Sequence, residues 1–224
     1  MKLYENVVIG NFLYGLGFAV RSCLGDSPGI PTMVNLLQQS PADTSLADVL
    51  LTFPGIVRLI EFKMETSKKG IKKEEERVQR LFKALENEGN PSLIEVSRKV
   101  HWYVEVGIGA EKEVVISRVA SYLDAFLEDS GLAPKALEDL IKLTAQEAVE
   151  DTSDERDCAR DYLQFVRKAL KGKNAIGGGG LVLIMDNDGG VNFVRIQSLT
   201  DLNLSLSSFQ QRALQRDLTP SYGF

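Results

Sequence analysis

The stretch that most constrains the fold runs from Asp48 to Met64. Two β-type runs, Asp48-Val49-Leu50-Leu51-Thr52-Phe53 and Val57-Arg58-Leu59-Ile60-Glu61-Phe62-Lys63-Met64, flank Pro54-Gly55. Proline followed by glycine between two such runs is a turn signal. With a two-residue hairpin loop, Phe53 pairs with Ile56 and Asp48 falls directly opposite Glu61. Pro-Gly favours a type II turn, whereas tight hairpins favour the primed turns, so a loop of four residues is the competing geometry. Asp48 would then face Leu59, still on the Glu61 side and within diagonal reach of it. An odd slip would throw Asp48 to the other face.

Side chains alternate along a strand, so Glu61 and Lys63 share one face and Ile60, Phe62 and Met64 the other. Directly opposed residues have Cβ atoms roughly 5 Å apart, and two carboxylates so placed repel. A purely structural sheet has little use for that pairing. A divalent cation between the two acids reverses the sign of the argument.

Asp48, a hairpin, then Glu61-x-Lys63 resembles the active-site signature of the PD-(D/E)XK nuclease superfamily. Ala47 stands where the family pattern has proline. The order of helix, Asp strand, turn, Glu-x-Lys strand, amphipathic helix and strand also resembles that family over about the first half of the chain. The resemblance implies a restriction-endonuclease-like core that hydrolyses phosphodiester bonds of nucleic acid, with DNA the expected form. It implies Mg²⁺ or Mn²⁺ held by Asp48, Glu61 and the Phe62 carbonyl, and Lys63 acting on the attacking water or the transition state. Glu5, in the preceding helix, fills the place of the family's additional acid; its competing reading is a first-turn acid favoured by the helix dipole. Some branches carry Gln-x-x-x-Tyr on the helix after the Lys strand; here Gln79 is followed by Lys83, so that motif is not claimed.

After Lys63 come Lys68, Lys69, Lys72 and Lys73. They read either as a solvated loop or as a phosphate-steering lip beside the site. The net charge of −5 does not suit a protein that coats nucleic acid nonspecifically. Acids and bases balance over residues 1–110, so the whole excess of acid belongs to residues 111–224. That asymmetry supports the alternative reading, an inactive nuclease-like module that docks a protein partner through its acidic second half. A homo-oligomer is compatible with either reading.

The two cysteines, Cys23 and Cys158, suggest neither a disulfide framework nor a zinc site and fit a reducing, cytoplasmic compartment. His101 is the only histidine, and reads as a surface residue at a strand end. No apolar run approaches the roughly 20 residues of a bilayer span, and no membrane partner is expected.

The remaining pattern gives an α/β (α+β) chain with a mixed sheet flanked by helices. A nuclease-like core over 1–110 is followed by a helical accessory region over 111–224 that ends in a β-hairpin. Spacing predicts helices over 4–20, 32–39 and from the 70s to Gly89, a short helical turn from Pro91, and helices over 113–127, 134–149 and 154–170. Strands are predicted over 101–108, 181–185 and 191–196, the last two joined by Asp186-Asn187-Asp188-Gly189-Gly190. Those acids resemble the start of a calcium loop, but Gln197 stands where its closing Glu would be. Gly177 to Gly180 precede a strand and lack a following Lys-Ser/Thr, so they read as a connector rather than a P-loop. Asp43 sits in a polar run beside Pro41 and reads as a turn residue. A last helix is predicted over 208–217, and Cys158 reads as a small core residue.

Overall fold

The computed structural model describes residues 3–27, 30, 32–37, 47–109, 115–127, 135–150, 153–171, 180–185 and 191–196. Asp43, the 186–190 turn and the helix expected over 208–217 lie outside them. In chain order the elements are α1 (Glu5–Leu24), β1 (Thr32–Leu36), β2 (Val49–Thr52), β3 (Val57–Met64), α2 (Lys68–Glu88), α3 (Pro91–Val100), β4 (His101–Ile108), β5 (Val115–Ser121), a 3₁₀ turn (Tyr122–Asp124), α4 (Leu137–Ala148), α5 (Ser153–Lys171), β6 (Gly180–Met185) and β7 (Val191–Ile196). The strands form one mixed sheet in the order β5-β4-β3-β2-β1-β6-β7. Among the described strands only β3 and β4 run parallel, which is why the two helices α2 and α3 lie between them in sequence.

Helices cover both faces. α2, α3 and α5 pack on Leu50, Val57, Leu59 and Tyr103 through Val78, Leu81, Leu85, Val100, Ala159, Tyr162 and Val166. α1 and α4 pack on Val49, Leu51, Ile60, Phe62 and Val104 through Val8, Ile9, Phe12, Leu16, Leu140 and Ala145. The alternation along β3 is the one that strand parity dictates. Phe12 meets Phe62 edge-on with ring centroids 5.5 Å apart. Arg58, on the α1/α4 face, is buried beneath α4; it pairs with Glu147 and donates to the Lys99 carbonyl at 2.8 Å. The hairpin turn is seated under the same helix. A side chain at Gly55 would collide with the Glu147 and Glu150 carbonyls, so the turn needs glycine there for close approach rather than for its φ.

Several expectations are corrected. Residues 32–36 form β1, not a helix; Thr32, Met33 and Val34 join a sheet that offers partners on both sides, β2 and β6. The segment expected as a helix over 113–127 contains β5 and the 3₁₀ turn. Val115 and Val119 fit a helical stripe, but β4 offers an open edge, and β-branched residues take it. The outer side of β5 is in turn bonded by Lys135, which exchanges both main-chain bonds with Val119. The division at residue 110 therefore falls between two neighbouring strands, and α4 and α5 cover opposite faces of the same sheet. His101 is fully buried rather than at the surface, and Cys158 is exposed, one position out of phase with the inward Ala159 and Tyr162. α1 is long and apolar enough to cross a bilayer by length and composition, against the expectation that no run approached that length; here its Val8–Val20 stripe serves the core.

Candidate active site

The β2–β3 register pairs Val49 with Ile60, Leu50 with Leu59, Leu51 with Arg58 and Thr52 with Val57. The Phe53 amide donates to the Ile56 carbonyl at 2.9 Å, so Pro54-Gly55 is the short loop. Continued by one residue, this register puts Asp48 opposite Glu61. Asp48 ends the ladder rather than extending it. Its amide donates to the Ile60 carbonyl at 3.1 Å, and its Oδ2 accepts the Phe62 amide at 2.7 Å. The carboxylate is thereby fixed against β3 at the point where β2–β3 pairing stops.

Asp48, Glu61 and Lys63 come together on the α2 face. The Lys63 ammonium bonds Glu61 Oε1, donates to the Phe62 carbonyl at 2.9 Å and stands 3.6 Å from Asp48 Oδ2. α2 adds two groups that sequence reasoning missed. Arg77 Nη1 lies 3.7 Å from Glu61 Oε2 and 3.0 Å from Glu74 Oε1. Glu74 Oε1 also accepts the Tyr122 hydroxyl. Glu74 falls four residues before Val78 and so extends the buried stripe of Val78, Leu81 and Leu85 by one turn. That phase was the available signal, obscured by two more glutamates at 75 and 76. His101 stacks on Tyr122 at 3.8 Å, and its Nδ1 lies 2.9 Å from the Tyr162 hydroxyl. The Ser97 hydroxyl donates to Tyr162 at 2.8 Å.

Electrostatics follow from this crowding. Burial pushes the Glu61 carboxyl well above the usual carboxylate range, and the Asp48 and Glu74 charges push it further, against Lys63 and Arg77. Burial by itself would lower Lys63, but the Glu61 and Asp48 charges outweigh it and hold the ammonium above the ordinary lysine range. Burial also raises the Tyr122 hydroxyl, which stays protonated and serves as a donor to Glu74.

Glu5 stands in the first turn of α1, whose Val8, Ile9, Phe12, Leu16 and Val20 cover the face of the sheet opposite to that of Glu61 and Lys63. Lys68, Lys69, Lys72 and Lys73 are exposed, and they are not in a loop: they occupy the first two turns of α2. No acid accompanies them in the first turn. Cations at a helix N-terminus oppose the macrodipole by about 0.3–1 kcal/mol each.

No protein-family model, curated protein or solved structure matches the chain. The geometry of the site must therefore carry the functional argument. Among the described residues no three His, Cys, Asp or Glu side chains are placed to hold a metal. A metal here would take two carboxylates and a main-chain carbonyl. Those three oxygens belong to Asp48, Glu61 and Phe62, and all face the Lys63 ammonium, a cation already standing among them.

Proposed function

We propose that the protein is a metal-dependent nuclease that hydrolyses phosphodiester bonds, with Asp48, Glu61 and Lys63 as its catalytic residues. The observation that carries this reading is the convergence of Asp48 Oδ2, Glu61 Oε1 and the Phe62 carbonyl on one cation-filled point. Two carboxylate oxygens and a carbonyl suit Mg²⁺ or Mn²⁺. When bound, such an ion lowers the pKa of a coordinated water and offsets charge building on the phosphate.

The chain's own groups do the rest. The Phe62 amide holds Asp48 in place, and Arg77 keeps Glu61 Oε2 on the α2 side, leaving Oε1 for the cation. Lys63, next to that position, supplies a positive charge to the phosphate oxygens as negative charge grows on them. The side chains of Asp48 and Lys63 are partly exposed, about one-seventh in each case, so substrate approaches from their side rather than through Glu61. The four lysines that open α2 draw the phosphate backbone toward this opening.

Incubating the purified protein with single- and double-stranded DNA and with RNA tests the reading. Cutting is expected with Mg²⁺ or Mn²⁺ and is expected to stop on chelation. Absence of cutting on all substrates with either metal, by folded protein, leaves the network as a structural one. The acidic second half would then become the feature to pursue, as a docking surface.

A further inference from the structure

Lys63 makes contacts that its expected role does not require. A lysine serving a phosphate would point toward solvent and substrate. Here the ammonium turns back on its own strand, against Glu61 Oε1, the Phe62 carbonyl and Asp48 Oδ2. These are the oxygens assigned above to the metal. Two cations cannot share one set of oxygens at these distances, since like charges at close range repel by several kcal/mol in a poorly screened site.

A second place for the ammonium lies alongside. β3 and β4 pair in parallel with Lys63 beside Glu105, and paired residues project to the same face. Glu105 is one-fifth exposed; it accepts the Tyr103 hydroxyl at 3.1 Å and stands 3.7 Å from Arg118. It is a carboxylate within a strand spacing of Lys63, nearer the solvent, and outside the group of oxygens that faces the ammonium.

We propose that Lys63 is an internal plug of the cation site, and that metal uptake displaces its ammonium from Asp48, Glu61 and Phe62 toward Glu105. This rests on the nuclease reading above and adds to it a closed, metal-free state held by the enzyme's own catalytic lysine. Uptake of the ion and delivery of the lysine to the phosphate side become one event. The closed state also reduces the uncompensated buried charge around the Asp48–Glu61 pair when metal is scarce.

The test is Mn²⁺ binding by calorimetry to the full chain, the Lys63→Met variant and the Asp48→Asn variant, alongside amine labelling of the unsubstituted protein followed by mass spectrometry. Removing the plug is expected to tighten Mn²⁺ binding about tenfold or more, the scale set by losing a competing buried ion pair. Asp48→Asn is expected to abolish binding. On the unsubstituted protein Mg²⁺ is expected to speed labelling of Lys63 severalfold relative to Lys68, which needs no folded variant. Equal or weaker binding by Lys63→Met, or Mg²⁺-independent labelling of Lys63 in protein that binds metal through Asp48, overturns the plug and leaves the nuclease reading standing. Absence of Mn²⁺ binding in both the full chain and Lys63→Met overturns both.

Discussion

Arg58 and Glu61 lie three residues apart on β3, on opposite faces of the sheet, and both are buried. Their surroundings differ in kind. Arg58 meets one acid, Glu147, together with the Thr144 hydroxyl, the Lys99 carbonyl and the face of Trp102. One charge answers one charge, and neutral acceptors take the remaining donors. Glu61 sits among three carboxylates, its own and those of Asp48 and Glu74, with two cations, Lys63 and Arg77. With all five ionised that cluster carries one negative charge in excess. The Arg58 side has the arrangement of an anchor, complete as it stands. The Glu61 side calls for one more positive charge, either a proton or a metal ion.

The largest effects separate the two faces by what they damage. Asp48→Asn, Glu61→Gln and Lys63→Ala are each expected to lower cutting by about 100-fold or more, the scale of losing one preorganised charge at a transition state. Circular dichroism is expected to show the fold retained. On the other face Glu147→Ala leaves Arg58 buried without its acid. It is expected to cost about 3 kcal/mol in denaturant unfolding, at the lower end for a broken buried pair because Glu147 is one-third exposed. Arg58→Met, which removes the buried charge itself, is expected to cost less. Cutting per folded molecule is expected to survive both. If Glu147→Ala abolishes cutting while the chain stays folded, the division between anchor and site fails.

What could be read from the chain follows the same division. Asp48, Glu61 and Lys63 were legible because strand parity and a two-residue loop are local geometry, and local geometry survives folding. β1 and β5 were not, because their identity depends on neighbours. Val115 and Val119 satisfy helical and extended spacing alike, and the open edge of β4 decides between them. Glu74 was missed although the Val78, Leu81 and Leu85 stripe carries its phase, because Glu75 and Glu76 beside it make the run read as a solvated face. Arg77 and Tyr122 were missed because which elements surround Glu61 is set by tertiary packing. The layer that α1 joins was not legible either, since the helix could be foreseen but not the face of the sheet it covers.

A smaller, pH-dependent effect sharpens the contrast at the far end of the polar face. Burial holds His101 well below its ordinary pKa of about 6.5, and the Arg77 charge adds to this. The groups facing it are the Tyr122 ring, the Tyr162 hydroxyl and Arg77. Below about pH 6.5 the unfolded chain takes up a proton on this histidine while the folded chain does not, so stability falls as pH falls. The slope is about 1.4 kcal/mol per pH unit until the folded-state pKa is reached. Glu61, held above its ordinary value, contributes the opposite slope, so the comparison must be between proteins. Urea unfolding between pH 5 and 7 is expected to show a shallower loss toward acid in His101→Gln than in the unsubstituted chain. Parallel curves would mean that His101 protonates in the folded state and is not sealed as the structure has it.

The smallest effect concerns the four lysines at the start of α2, where stability and binding are expected to move in opposite directions. Lys68, Lys69, Lys72 and Lys73 crowd the positive end of the helix dipole with no first-turn acid to offset them. Replacing all four with Gln removes that repulsion, which falls mainly on Lys68 and Lys69 in the first turn, and is expected to raise stability slightly, by a few tenths of a kcal/mol in total. If the lysines neutralise phosphates, the same change weakens binding to DNA and flattens its salt dependence, by about 0.9 in log–log slope for each phosphate no longer neutralised. The measurement is a fluorescence-anisotropy titration at several salt concentrations in Ca²⁺, chosen to hold the site without supporting cutting, paired with thermal unfolding. A quadruple variant that is more stable and binds less steeply places the lysines at the phosphate backbone. One that is more stable with an unchanged slope leaves them a solvated, mildly strained helix start, and the draw of substrate toward Asp48 and Lys63 would have to come from the site alone.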